Sequence, residues 1–324
     1  MAQKPNITTG SIHQQAERII EPDFSDRSAE LHDELIPEWI ATLLEENRDR
    51  IDGLTDVTRI WMRAEVVQYI FTICLRLHLP REVKYLALSI FDQFMSAHIM
   101  GLSTLVKYLT CRTEEQKFKE WEKIESTVSR QLTLRVLSVI QIASKLQSYH
   151  DSLSKKQLKR CLQTLGSSYT EEAVVKSELR VLRTINFYAA YRNTPVTYIE
   201  SMLKVLVLRK PEVLNAKTIW DYALLVLDCV YLQLDVVYRG VLNVVHGEMS
   251  GTVSKDRMRR IQCDYSLLAA GVIACACVCV HGPALTNEVI MELSKISSVS
   301  VEDITDMSTG CIEKIITHEE TGPN

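Results

Sequence analysis

MRAEVVQYIFTICLRLHLPREVKYLALSIFDQFMS, residues 62–96, sets the character of the whole chain. Val66, Val67, Ile70, Ile73, Cys74 and Leu77 recur at steps of three and four, which gathers apolar side chains on one face of a helix. The pattern predicts a helix over 56–78. Leu79-Pro80 closes it, because proline drives the residue before it out of helical geometry. Pro80 then suits the first turn of a following helix, near 81–96.

Towards the N-terminus, Ile36, Trp39, Ile40, Leu43 and Leu44 share a stripe and predict another helix. Residues 1–30 have no apolar period and read as a mobile tail. Towards the C-terminus, 97–130 stands apart as an insertion. It holds TEEQKFKEWEKIESTVSRQ, with Phe118, Trp121, Ile124 and Val128 at roughly helical spacing. A buried pattern resumes over 132–147, and a helix near 155–165 stops at Gly166. Thr170 then offers an N-cap, with Glu171 and Glu172 suited to the first turn. Asn193-Thr194-Pro195 is a second start signal. Helical patterns follow near 196–207, 215–233, 235–247, 264–280, 286–297 and 301–317, and almost no alternating β pattern occurs.

LLAAGVIACACVCV, residues 267–280, has the place in the second half that LRVLSVIQIASK, residues 134–145, has in the first. The reading is therefore all-α: two bundles in tandem, each around a buried helix, with an N-terminal helix and a short disordered tail. The expected boundaries are 1–30 for the tail, 31–193 for the first unit with its preceding helix, and 194–320 for the second.

The chain has 324 residues, 46% hydrophobic, enough for two cores, and a net charge of −4 with both signs interspersed. This balance gives no global case for nucleic acid or membrane partners. The polar N-terminus lacks a signal-peptide core, and 267–280 is shorter than the ~20 residues that span a bilayer. Nine cysteines, an odd number without a CxxC pair, suit a reducing compartment. Cys275, Cys277 and Cys279 read as packing groups, since a helix sends Cys277 away from the other two and no second pair completes a tetrahedral set. KKQLKR at 155–160 and KDRMRR at 255–260 read as solvated faces more readily than as import or phosphate-contacting patches. No phosphate loop, nucleophile elbow, paired carboxylates or metal spacing occurs, so no cofactor, metal or catalytic residue is expected.

Four charges sit among apolar neighbours without a partner along their own helix: Arg63, Asp92, Lys145 and Glu178. Each needs a partner across helices or on another protein. The signs allow Arg63 with Asp92 inside the fold and Lys145 with Glu178 as a pair offered outward. A bland alternative places Lys145 at a helix C-terminus, where a cation is favoured by roughly 0.3–1 kcal/mol.

Residues 62–96, LTLRVLSVIQIASKL at 132–146 and YTEEAVVKSELRVLRTINF at 169–187 resemble the opening, central and final helices of a cyclin box. The TP at 194–195 fits the entry to a second cyclin-like five-helix bundle, and the resemblance covers about 35–320. SKLQSYHDSLSKKQLKRCLQTLG, KSELRVLRTINF and TPVTYIESMLKVL are similar to the cyclin N-terminal domain-containing proteins of meiotic crossover formation. The resemblance implies that Arg63 pairs with Asp92, that Leu134 packs in the central helix, and that Lys145 and Glu178 face a cyclin-dependent kinase. It implies a nuclear, non-enzymatic regulator or scaffold on meiotic chromosomes, with crossover and recombination factors as further partners. A general cell-cycle or transcriptional cyclin, or a nucleic-acid binder resembling transcription factor IIB, stands as the alternative. The slightly acidic balance and the missing zinc ribbon count against the latter.

The chain also departs from the family. In the segment that some cyclins use to dock substrates, Glu65 replaces an apolar residue, Gln68 an acid and Tyr69 a tryptophan. Met62, Val66 and Tyr69 thus offer a docking patch that ordinary helix packing explains better. Phe118 and Trp121 are candidate partner anchors, set against a helical extension folded onto its own domain.

Overall fold

Start and stop signals in the sequence decide where the elements lie. A computed structural model describes residues 22–24, 35–54, 61–108, 113–147, 152–166, 169–189, 193–209, 214–246 and 255–320, and every regular element among them is a helix. A lone helix comes first, α1 (Leu35–Asp52), and five follow: α2 (Ala64–Arg76), α3 (Arg81–Lys107), α4 (Glu114–Gln147), α5 (Lys155–Thr164) and α6 (Glu171–Thr184). Then come α7 (Pro195–Arg209), α8 (Ala216–Leu232), α9 (Leu234–His246), α10 (Lys255–Cys263), α11 (Tyr265–His281), α12 (Pro283–Ser297) and α13 (Val301–Glu320). Most of the 1–30 tail, the 56–60 stretch and Cys111 fall outside the described residues.

Local chemistry accounts for the ends. Pro80 is the N-cap of α3, one residue before the turn expected for it, and Pro195 opens α7. Ser154 and Gln157 form a reciprocal capping box at the start of α5. The Thr170 hydroxyl accepts from the Ala173 N–H at 3.2 Å and so caps α6. Gly166 takes a φ of +74° just after α5, a geometry that costs glycine little.

Two helices carry the cores. In α4 every residue from Leu134 to Ser144 is buried, and α2, α3, α5 and α6 pack around it. In α11 every residue from Tyr265 to Cys277 is buried, wrapped by α7, α8, α12 and α13. α9 lies against α13, with the short α10 beside it. Cys275 and Cys277 are buried and Cys279 is exposed, and no group of three His, Cys, Asp or Glu among the described residues is placed to hold a metal. No single described helix is long and apolar enough to cross a membrane.

The described residues of the 97–130 stretch are almost all helical, as the spacing of Phe118, Trp121, Ile124 and Val128 suggested. α3 runs unbroken to Lys107, and α4 begins at Glu114 and continues straight into the core. At ~1.5 Å per residue the 34 residues of α4 span about 50 Å, so its first half and the end of α3 form an antiparallel arm beyond the bundle. Helix geometry is kept while burial is lost, so the apolar period fades there.

The other difference concerns α1, which the sequence groups with the first unit. Its contacts run instead to α7, α10, α11 and α12. Asn47 donates to Asp264 Oδ1 at 2.9 Å and accepts the Tyr265 N–H at 2.8 Å. It thereby finishes the N-terminus of α11 alongside Asp264, whose side chain accepts the Leu267 N–H. The Arg50 guanidinium lies 3.8 Å over the Tyr265 ring, and the Tyr198 hydroxyl donates to the Leu43 carbonyl at 2.8 Å. The two bundles meet where Lys84 of α3 pairs with Asp228 of α8 at 2.6 Å, with the Tyr85 and Tyr231 rings tilted against each other beside it, 5.4 Å between centroids.

Candidate docking site

Lys145 ends the long buried run of α4, and Glu178 lies halfway along α6. Their positions follow from their neighbours. On α6 Val174, Ser177 and Val181 point inward. Glu178 is one step around the helix from them, flanked by the exposed Val175 and half-buried Leu182. On α4 Gln141, Ile142 and Ser144 are buried while Leu146 is exposed. The end of α4 is pinned from outside: the Leu153 N–H donates to Ser144 Oγ, and Gln141 donates to the Leu153 carbonyl. This fixes the last turn, from which Lys145 reaches across to Glu178.

The ammonium donates to Glu178 Oε1 at 2.5 Å, joining residues 33 apart in sequence. Side-chain exposure is 35% for Lys145 and 14% for Glu178, so the pair is reachable from solvent yet partly desolvated. Exposed apolar side chains lie near it on the same helices, Leu146 next to Lys145 and Val175 one turn before Glu178, and exposed Phe187 and Tyr188 follow just after α6. Asn186 and Phe187 both have positive φ, 53° and 56°, just after α6. A left-handed phenylalanine is costly, and here it leaves the ring 65% exposed. An apolar surface around a half-buried ion pair marks an interaction face.

The expected Arg63–Asp92 pair does not form. The helix starts at Ala64, not at 56, and Arg63 is its extended N-cap with φ −72° and ψ 150°. Arg63 therefore points outward and is exposed. Asp92 accepts the Trp61 backbone N–H at 2.5 Å instead. Burial pushes its carboxyl up to about 7, with the Trp61 N–H pulling the other way. Asp92 still fastens the segment before α2 to α3, through the backbone rather than through a side chain.

Leu134 is buried at the start of the α4 core run. Met62, Val66 and Tyr69 are half-buried and pack against the core, with Glu65 and Gln68 exposed beside them. On the arm, Trp121 is half-buried and donates to Glu125 at 2.7 Å, whereas Phe118 is 63% exposed. Neither patch joins the Lys145–Glu178 face.

Residues 41–190, which run from α1 past the end of α6, match the family model of the cyclin N-terminal domain. The match takes in the whole of the first bundle. Across a longer span, the chain is similar to the cyclin N-terminal domain-containing protein 1 of mouse, with 25% identity covering 90% of this chain and 86% of the relative. The human protein of the same name is also 25% identical, covering 88% and 84%. Cyclin domains are regulatory units, generally without enzymatic activity, and they typically bind kinases. In the matched region here, Lys145 and Glu178 come from the central helix α4 and the last helix α6.

Sequence reasoning missed the wall opposite this face. A cleft of about 590 Å³ separates the ends of α4 and α6 from α1. Ile142, Leu146, Leu182, Phe187 and Tyr188 line one side, and Thr42, Glu45, Glu46 and Asp49 the other. The signal was present as acids at 38, 45, 49 and 52, a spacing that keeps them on one face of α1.

Proposed function

We propose that the chain is a cyclin-type regulatory subunit that binds a cyclin-dependent kinase through Lys145, Glu178 and the apolar surface around them. The observation that carries this reading is the Lys145–Glu178 pair itself, half-open to solvent at the rim of exposed Leu146, Val175 and Phe187. A foreign helix laid on that rim buries apolar side chains and finds a donor and an acceptor for its backbone ends, the requirement of helix-in-groove recognition. A cyclin face held against the helix that carries a kinase's catalytic glutamate keeps that helix in its active placement. On this proposal the complex acts in the nucleus of meiotic cells, bringing kinase activity or crossover factors to recombination sites, a reading that the resemblance to the crossover group supports.

Affinity purification from meiotic germ cells tests this. The wild-type chain recovers a cyclin-dependent kinase, and Lys145→Glu and Glu178→Lys each lose it while keeping the wild-type circular dichroism spectrum. The double swap restores the pair within the chain but not the recovery. Kinase retained by both single reversals refutes the assignment.

A further inference from the structure

Glu38, Glu45, Asp49 and Asp52 lie on one stripe of α1, all exposed, and none is paired with a cation among the described residues. Arg48 flanks the stripe but does not line the cleft. Glu46, which does line it, is held by Arg50 and Asn193. Among the described residues, the cleft wall on α1 therefore presents carboxylates without a cation at Glu45 and Asp49, and no described lysine or arginine lines the cleft. Opposite them lie exposed Leu146, Phe187 and Tyr188. The cleft continues the Lys145–Glu178 face, since Leu146 follows Lys145 and Leu182 lies one turn beyond Glu178.

We infer that this cleft takes an amphipathic helix of a partner protein whose apolar face meets α4 and α6 and whose edge towards α1 carries lysine or arginine. The inference deepens the reading above and rests on it for the identity of the face, not for the charge. Several features select this occupant. The floor is apolar and flanked by an exposed aromatic pair, as a helix-binding groove requires. Glu45 and Asp49 line the cleft, and Glu38 and Asp52 carry their stripe beyond it at either end, 14 steps or about 21 Å in all at ~1.5 Å rise, so it matches an elongated occupant and not a point ligand. Acids at steps of seven, four and three meet cations at the same steps on a helix lying alongside. Because no described residue of the wall neutralises Glu45 and Asp49, an acidic helix meets repulsion there, and the wall selects as well as attracts.

The test uses the full chain and two stapled helical peptides with one apolar face in common. One carries lysine along the edge, its twin glutamate. Fluorescence anisotropy at low salt should show the lysine peptide binding ~10-fold tighter, a preference shrinking to ~2-fold in about 0.5 M salt. Glu45→Gln with Asp49→Asn should abolish the preference without lowering the melting temperature. Equal affinity for the twins, or no saturable binding of either, overturns the inference. So does a wild-type dimer by light scattering that Glu45→Lys dissolves, since the cleft would then be filled by a second copy. The kinase reading is judged apart from this. If Lys145→Glu abolishes kinase recovery while the twins bind alike, the charge inference falls and the kinase reading stands. If recovery survives Lys145→Glu while the lysine peptide is preferred, the reverse holds.

Discussion

At the residue scale, the four isolated charges divide into two outcomes. Lys145 and Glu178 find each other because both are at the edge of their helices' buried faces. Their pair is half-open, so solvent screens it, and Lys145→Ala should lower stability by less than ~1 kcal/mol. A thermal melt shifting by no more than ~2–4 °C, alongside lost kinase recovery, would place the value of the lysine in binding. Asp92 behaves differently. Its carboxyl is raised in the folded chain to about 7, above the unfolded value, so the folded state favours the protonated form. The stabilisation is complete below the unfolded carboxylate range and is lost as pH rises through about 7. Asp92→Asn keeps an acceptor for the Trp61 N–H without the charge. Melts at pH 5 and pH 8 should show the variant gaining on the wild type by a few °C at the higher pH, and parallel melts would contradict this account. Arg63 was legible as a charge without a local partner, but not as a cap. Which side of the helix start it falls on depends on where the preceding segment is tied, and that tie is a backbone bond to Asp92.

At the element scale, caps and breaks were legible because they are written in single residues. Thr170, Pro195 and Gly166 mark their helices as read, and the buried runs of α4 and α11 follow from unbroken apolar sequence. The arm was legible in part: Phe118, Trp121, Ile124 and Val128 keep a helical spacing, but a stripe that is only half-buried does not say that the helix runs on into the core. The joining of α1 to α11 was hidden for another reason. Asn47 is a polar residue whose partners lie 217 and 218 positions away. Asn47→Ala leaves the Tyr265 N–H without its acceptor in a buried setting, and should cost about 1–2 kcal/mol in urea unfolding. Helix contact is equally exacting at Gly271, where an added Cβ would collide with the Met307 side chain across α11 and α13. Gly271→Ala should cost ~1–3 kcal/mol, measured the same way. Gly101 on the arm has open space around its missing Cβ, and Gly101→Ala should be neutral or slightly stabilising.

At the scale of the whole molecule, the two bundles are joined by the Lys84–Asp228 contact and by the packing of α2 on α8 and α3 on α7, and the arm contributes little to either core. Replacing residues 102–125 by a short glycine-serine turn should therefore leave the helical spectrum in proportion to its length and the melting temperature within a few °C. A collapse of the fold would show that the arm is structural. The tandem plan itself was legible, since each half repeats one small-residue or aliphatic central helix among amphipathic ones. The cleft was not. Its walls belong to different bundles, and no local pattern records which surfaces a long-range contact will bring opposite each other. That same long-range contact has a temporal side. The segment holding Asn47 leaves the ribosome early, whereas Tyr265, whose amide it receives, is made more than two hundred residues later. During synthesis α1 can meet Tyr198 of α7 first, but Asn47 must wait for Tyr265, and only then is the N-terminus of α11 finished.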